Sequence, residues 1–418
     1  MIPTALVVLF VAAGLIAVAA EPNFATPAAL AGVLIPVLLL RRRALAKASE
    51  ATPVLIALAL FVGTVWAASF WGLAGPLDLA ERAGKITLFA LAGGIALCLP
   101  VSGRGAVTVL IGLALGATAV ALALAENSLV GALADLFVPA EAGELEAVFI
   151  RANLHKAPAV FLALVFFPLA LLALSARGRN AGLAIWAPAG VTAAGVAISG
   201  HETALLALAA GASAAGLAYW TPRLVGGLVL LTVGFLMFAA PSLLHNGDLK
   251  PLLDATRAST SLQHRVLIAD FAAARIAEKP VLGWGLDSAR AMPDGSKNIA
   301  ETPSRLTRFA VDDLTPKVWS RGQNMPLHPH NMALQIRLEL GLPGAAAALI
   351  LLAAGVAGVL RLQSARGRAM AFGMMATYLA IACVSYGAWQ SWWMSVLILT
   401  VLLGRCGLAA SARLRGTS

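Results

Sequence analysis

Charge is what this sequence has least of. Only 12% of its 418 residues are Asp, Glu, Lys or Arg, and 60% are hydrophobic, whereas a soluble globular chain is roughly 25% charged. That shortage excludes a soluble single-core domain, a fibrous repeat and a disordered chain. Cysteine is also scarce. Cys98 and Cys383 sit inside apolar runs and Cys406 lies beside Arg405, which excludes a disulfide framework and a cysteine metal cluster. No HExxH sequence and no Gly-rich nucleotide loop is present. The first twenty residues end in Ala17-Val18-Ala19, a stretch like a signal-peptidase site, but lack a basic region before it. They are expected to stay as a helix.

What is abundant is long apolar sequence. A helix needs about 20 mainly apolar residues to cross the hydrocarbon core. That ruler gives twelve spans, near 3–20, 25–40, 52–74, 86–101, 105–125, 157–175, 181–199, 203–220, 224–243, 332–360, 369–388 and 391–405. The fold class is therefore all-α, a polytopic transmembrane helical bundle of about twelve helices. Three regions follow: N-terminal membrane helices (1–243), one large polar loop (244–331) and C-terminal membrane helices (332–418).

The net charge of +10 fits nucleic acid, an anionic substrate or membrane topology, and the location of the charges decides. One set of alternate loops holds Arg41, Arg42, Arg43, Lys47, Arg104, Arg177, Arg179, Arg223, Arg361, Arg366, Arg368, Arg405, Arg413 and Arg415, with Glu50 as its acid. The opposite short loops carry Glu21, Asp78, Glu81, Glu126, Asp135, Glu141, Glu144 and Glu146. By the positive-inside rule the basic face is cytoplasmic, so both termini are expected inside and the long loop outside. The excess positive charge is orientation and does not imply a nucleic-acid partner.

Loops longer than about 12–15 residues are usually functional or disordered, and this one reads as partly folded. Leu262, Val266, Ala269, Ala273 and Ile276 recur at helical spacing, with Ser259 and Thr260 as caps and a stop at Pro280, so a helix is expected over 261–279. Met292 to Arg321 reads as irregular. All six histidines, His155, His201, His245, His264, His328 and His330, fall on the external side or at its membrane edge.

One stretch concentrates chemistry. Met325-Pro-Leu-His-Pro-His-Asn331 runs straight into an apolar helix carrying Gln335, Arg337 and Glu339, followed by Gly341-Leu-Pro-Gly344. Proline stiffens the backbone between the two imidazoles. A neutral imidazole can take a proton from a sugar hydroxyl, with Asn331 as an orienting amide. Ionisable residues inside a membrane helix are functional candidates because burial is costly; the alternative is an Arg337–Glu339 anchor snorkelling at the interface. Zinc held by His328 and His330 is the weaker reading, since no further ligand pattern accompanies them.

His330-Asn331 with Gly341 and Gly344, preceded by Ser261-Leu-Gln-His-Arg-Val-Leu267 and Pro280-Val-Leu-Gly-Trp-Gly285, resembles the signature of the bacterial O-antigen ligase and O-antigen polymerase superfamily. The resemblance implies a polytopic glycosyltransferase of the bacterial inner membrane with its active site facing the periplasm. It implies an undecaprenyl diphosphate-linked glycan as donor, a lipid A-core or glycan acceptor, membrane lipids as surroundings, and no cofactor or metal. His330 then serves as base, assisted by Asn331, and Arg265 holds the diphosphate, because guanidinium matches phosphate oxygens bidentately. His328, Arg321, Arg337, Gln335, Glu202, His201 and Arg151 are the substrate-binding candidates. Gly283 and Gly285 look like a phosphate-cradling turn, but a lone GxG more often just ends a helix.

The chain departs from the family once. Many ligases carry Ser-Arg at the outer edge of the eighth helix, and here the sequence is Ser199-Gly-His-Glu-Thr203. A carboxylate cannot hold a diphosphate, so Arg151, Lys156 or Arg321 takes that part, or the acceptor differs; His201-Glu202 otherwise reads as a helix cap. A polymerase using a second lipid-linked unit shares the same site. A transporter is the alternative of another class, yet carriers place polar groups mid-helix and show repeats, which this chain does not.

Overall fold

The computed structural model describes residues 4–20, 23, 25–39, 48–135, 138, 139, 141, 143–176, 179–302 and 308–416. Among these the fold is all-α, and the β pairing is one isolated bridge between Asn298 and Gln323. The helices are α1 (Thr4–Ala20), α2 (Ala25–Leu39), α3 (Ala48–Ala68), α4 (Pro76–Cys98), α5 (Gly103–Leu129), α6 (Ala132–Asp135), α7 (Glu144–Ser175), α8 (Arg179–Ile198) and α9 (Glu202–Trp220). After them come α10 (Pro222–Gly234), α11 (Ala240–Asn246), α12 (Lys250–Ala255), α13 (Thr260–Glu278), α14 (Pro316–Arg321), α15 (Met332–Leu360), α16 (Ala365–Ala382) and α17 (Ser391–Arg415).

Each expected span coincides with a helix, once α10 and α11 are read as one element continued through a π-helical turn at Phe235–Ala239. Among the described residues, seven helices are long and apolar enough to cross a membrane on their own. The ends differ more than the centres. α4 begins at Pro76 and α7 at Glu144, well before the expected 86 and 157, because hydropathy marks the apolar part while a helix continues into polar residues. Proline at the first position of α4 suits it, since the missing N–H has no intrahelical partner there. Arg41, Arg42, Arg43, Lys47 and Arg177 lie outside the described residues.

α7 runs through the middle of the bundle. Val160 through Val165 are all buried, as expected for a helix that is apolar all round. They form one core with α1, α5, α8, α9, α16 and α17. A second core joins α3, α4, the π turn and the start of α15.

The polar segment between α11 and α15 has cores of its own. α13 forms where its apolar periodicity predicts, and Ser259 caps it by accepting from the Leu262 N–H at 3.4 Å. One face of α13 (Ile268, Phe271, Ala272, Ile276) packs on Leu334 and Leu338 of α15. Leu267 turns the other way, onto Leu249, Leu253, Leu314 and Val318. The stretch read as irregular contains short 3-10 turns and α14. The packing of α13 on the first turns of α15 is what sets Arg265 against the residues that precede Met332.

Candidate active site

α15 starts abruptly. The Asn331 side-chain oxygen accepts from the Leu334 N–H at 3.0 Å and caps it. The residue before the cap, His330, has φ +53°, an uncommon backbone for a side chain with a Cβ. That turn aims its ring at the loop between α16 and α17, where Nδ1–H donates to the Ser385 carbonyl over 2.8 Å. A carbonyl only accepts, so the proton sits on Nδ1 and the lone pair is on Nε2. His328 packs beside it with ring centroids 4.3 Å apart, its Nδ1 accepting from the His330 N–H at 3.1 Å. Its other nitrogen therefore carries the proton and faces the Gln390 side-chain amide, 3.4 Å away.

Positive charge surrounds this lone pair. Burial, and then Arg265, His264 and Lys156, hold His330 below the ordinary imidazole range, against the opposing pull of the Ser385 carbonyl. Burial first, then Lys156, Arg265 and His155, pull His201 down to about 4. His328 falls to about 3, through burial and then His330 and Arg290. The three imidazoles are thus neutral near pH 7. No acid is among the groups acting on His330 or His201, and no salt bridge to Arg265 forms among the described residues. Tyr386 lies close enough to Arg265 for their charges to interact, and burial raises its hydroxyl to about 12.

The glycines of the signature have a mechanical part. Gly341 has φ +66° and breaks α15 ahead of Pro343, and the Pro280–Gly285 turn repairs the break. Leu342 N–H donates to Val281 O at 2.8 Å, Trp284 N–H to Leu338 O at 2.9 Å and Gly285 N–H to Glu339 O at 2.9 Å. A Cβ on Gly283 would lie 2.6 Å from the Gly341 nitrogen and 2.7 Å from the Leu338 and Glu339 carbonyl oxygens, closer than real Cβ contacts come. A side chain at Gly285 would run into Gly72. The Gly-x-Gly turn is a docking strip on α15, and its amides are spent on protein carbonyls.

Two polar residues of α15 serve the same purpose. Gln335 accepts from Ala388 N–H at 2.8 Å and donates to Glu339 at 2.9 Å. Glu339 also accepts from Asp287 N–H and Trp389 Nε1–H, both at 2.6 Å, and from Ala289 N–H at 3.4 Å. An interfacial Arg337–Glu339 anchor is therefore not what forms. Both are buried, and residues two apart on a helix do not face each other. The Arg337 Nε and Nη1 have no hydrogen-bond partner among the described residues.

The remaining candidates divide. His201 joins the cluster and caps α9, its Nδ1 accepting from Ala204 N–H at 3.2 Å; Glu202 is exposed in the first turn of α9. Lys156 acts on both His201 and His330. Arg321 is exposed at the end of α14. Arg151 lies on α7, and its side chain lies outside the described residues. His155 is a brace between helices: its Nδ1–H donates to Ser199 O at 3.0 Å, and its Nε2 takes the Asn127 amide at 2.6 Å. His264 Nε2–H donates to Gln323 O at 2.7 Å. Among the described residues no three His, Cys, Asp or Glu converge as metal ligands would. The sequence reading missed Ser385, Tyr386 and Gln390. A backbone carbonyl leaves no trace in sequence, and only the aromatic density of Tyr386, Trp392 and Trp393 marked the loop.

Residues 187–349 match the family model described as O-Antigen ligase. A protein of Rickettsia conorii and one of Rickettsia felis, whose names propose a polysaccharide ligase, are each 34% identical over 160 residues, 37% of this chain and 35% of theirs. A protein of Rickettsia typhi with the same kind of name is 33% identical over 147 residues, 34% of this chain and 33% of its own. The matched stretch thus spans about a third of each relative.

Proposed function

We propose that this chain, whose residues 187–349 match the O-Antigen ligase family model, is a membrane glycan transferase of that superfamily. It moves a saccharide from undecaprenyl diphosphate to a sugar hydroxyl of a lipid A-core or similar acceptor. The observation that carries this reading is one pairing. A neutral imidazole whose Nε2 lone pair has no partner among the described residues stands in the same cluster as the Arg265 guanidinium.

In this scheme the acceptor hydroxyl gives its proton to His330 Nε2 while its oxygen attacks the anomeric carbon. The bond from that carbon to the diphosphate breaks, the electron pair leaves with the phosphate, and the anomeric centre inverts. Arg265 offsets the charge gathering on the leaving group, where guanidinium forms paired hydrogen bonds to phosphate oxygens. Lys156 supplies the second cation that the missing Ser-Arg pair would have given. Asn331 acts as a positioning residue through its cap, which fixes where α15 begins and so where His330 turns. The end bearing these groups faces the periplasm, because the arginine-rich loops mark the other end as cytoplasmic.

The test is reconstitution of the full chain in liposomes with a lipid-linked glycan and alternative acceptors. One transfer per acceptor is expected. A ladder of growing polymer would replace the ligase reading with a polymerase. His330→Ala and Arg265→Ala are each expected to abolish transfer while inserting normally, and normal transfer by either would remove that residue's role.

A further inference from the structure

Glu339 is bound into the frame, but Arg337, the other charged residue of α15, is not. It is only 8% exposed. It forms no hydrogen bond or ion pair among the described residues, and its Nε and Nη1 are sealed from solvent. A snorkelling arginine keeps its head group in water, which that burial prevents. The carboxylate nearest in sequence, Glu339, is occupied by four donors of its own. A charge buried without a partner is costly, so the position calls for an anion that none of the described residues supplies.

The surroundings of Arg337 narrow the choice of anion. Ala333 and Leu340 of α15 pack with α3, α4 and the π turn, and Leu334 and Leu338 pack on α13. At about 3.6 residues per turn Arg337 falls on the seam between these two rows. Gly341, one turn on, shares that face, and the Pro280–Gly285 turn covers it. This turn belongs to the polar segment, yet its Val281 and Leu282 are each 55% exposed, and Leu342 beside them is 39% exposed. Exposed apolar neighbours of this kind suit hydrocarbon better than water. Depth agrees with that reading. A helix crosses the ~30 Å core in about 20 residues, and the same count back from Leu360, the end of α15, reaches Gly341. Arg337 therefore stands one turn beyond the hydrocarbon edge, level with the lipid phosphates on the His330 side.

We propose that Arg337 is a binding site for the phosphate of a membrane lipid. Its guanidinium forms paired hydrogen bonds to the phosphate oxygens, while Val281, Leu282 and Leu342 meet the lipid's chains. The site is separate from the chemistry assigned to His330 and Arg265 and does not depend on it. Two lipids carry this phosphate, a phospholipid and the polyprenyl carrier of the glycan-transfer reading, and the test separates them.

The full chain, purified in neutral detergent, is titrated with dioleoylphosphatidylglycerol, undecaprenyl phosphate or inorganic phosphate. Thermal stability reports binding, since a ligand of the folded state raises it. Wild type is expected to gain stability saturably with at least one of the two lipids, and Arg337→Met to need about tenfold or more of that lipid for the same gain. A gain with the phospholipid identifies a headgroup site; a gain with undecaprenyl phosphate alone identifies the carrier. Comparison with Arg337→Met removes any contribution from Arg265. Without lipid, Arg337→Met is expected to be as stable as wild type, because an apolar side chain of similar length replaces an uncompensated charge. Should it not assemble, Arg337→Lys, which keeps the charge and loses the planar fork, carries the same comparison. Lipid binding like wild type in the variants, or inorganic phosphate acting as the lipids do, overturns the proposal. No transfer is measured, so its failure leaves the roles of His330 and Arg265 standing, and normal transfer by their alanine variants leaves Arg337 untouched.

Discussion

Glu339 offers the sharpest test of how the site is held, because one buried carboxylate accepts four hydrogen bonds from three segments. Asp287 and Ala289 belong to the turn after the Gly-x-Gly strip, Trp389 to the loop that holds His330, and Gln335 to α15 itself. Glu339→Gln keeps the shape but presents an amide NH2 where an oxygen accepted two of the four N–H groups. Each buried group left unsatisfied costs about 1–3 kcal/mol, so ~2–6 kcal/mol is expected. Glu339→Ala strands all four donors and should cost about twice that of glutamine. Trp389→Phe removes one donor in advance. The double variant Glu339→Gln/Trp389→Phe should therefore fall short of the sum of its parts by about 1.5–3 kcal/mol, the range for a bond to a charged group. The assay is the half-life of monodisperse protein on heating in detergent, read with the transfer rate at a permissive temperature. A Glu339→Gln protein within ~0.5 kcal/mol of wild type, the range of an ordinary surface change, would refute the idea that this carboxylate ties the segments together.

Other outcomes follow from the same geometry. Gly341→Ala meets both a positive-φ, extended-ψ backbone that is essentially glycine's own, at about 1–3 kcal/mol, and a collision with the Val281 carbonyl; it should destabilise strongly, while Gly358→Ala, with nothing within 4 Å, should not, and equal thermal stability of the two variants would count against the docking strip. Because His330 is held below the usual imidazole pKa, its neutral form persists to lower pH, so the acid limb of kcat/KM should lie below about 6.5; Lys156→Gln removes one depressing charge and should move that limb upward, and a limb unmoved would exclude the coupling. A cysteine at exposed Ser296 should react with a membrane-impermeant reagent in cells whose outer membrane is permeabilised, and protection would reverse the orientation.

The membrane helices were legible because hydropathy responds to a property every residue in a span shares. Their ends were not, since α4 and α7 continue through charged turns that hydropathy discounts. Arg265 and His330 emerged as a pair from the family signature, and packing of α13 on α15 accounts for it physically. Asn331 reads in sequence as an orienting amide and, standing directly before an apolar run, also as a helix cap; the cap is the contact its side-chain oxygen makes. Gly283 and Gly341 are far apart in sequence, so neither shows alone that the other's backbone occupies the space a Cβ would need. Ser385 could not have been found, because what it contributes is a carbonyl that any residue carries.

The signature is therefore two different things written in one line of sequence. His330 and Arg265 are the pair proposed to carry the chemistry; Gly283, Gly285, Gly341 and Gly344 belong to the frame. Arg265 stands on a helix that is not anchored in the bilayer by its own apolar length, whereas His330 precedes one that is. Holding two such elements in fixed register requires contact between backbones, since side-chain packing alone allows slippage. The break at Gly341 supplies it: an unbroken helix would spend its carbonyls internally, but here Leu338 and Glu339 offer theirs to Trp284 and Gly285, and Val281 returns one to Leu342. A kink that in isolation would destabilise α15 thus becomes the point where the polar segment is fastened to the membrane bundle. Its position about three turns beyond His330 lets it set the spacing between the proposed base and the guanidinium.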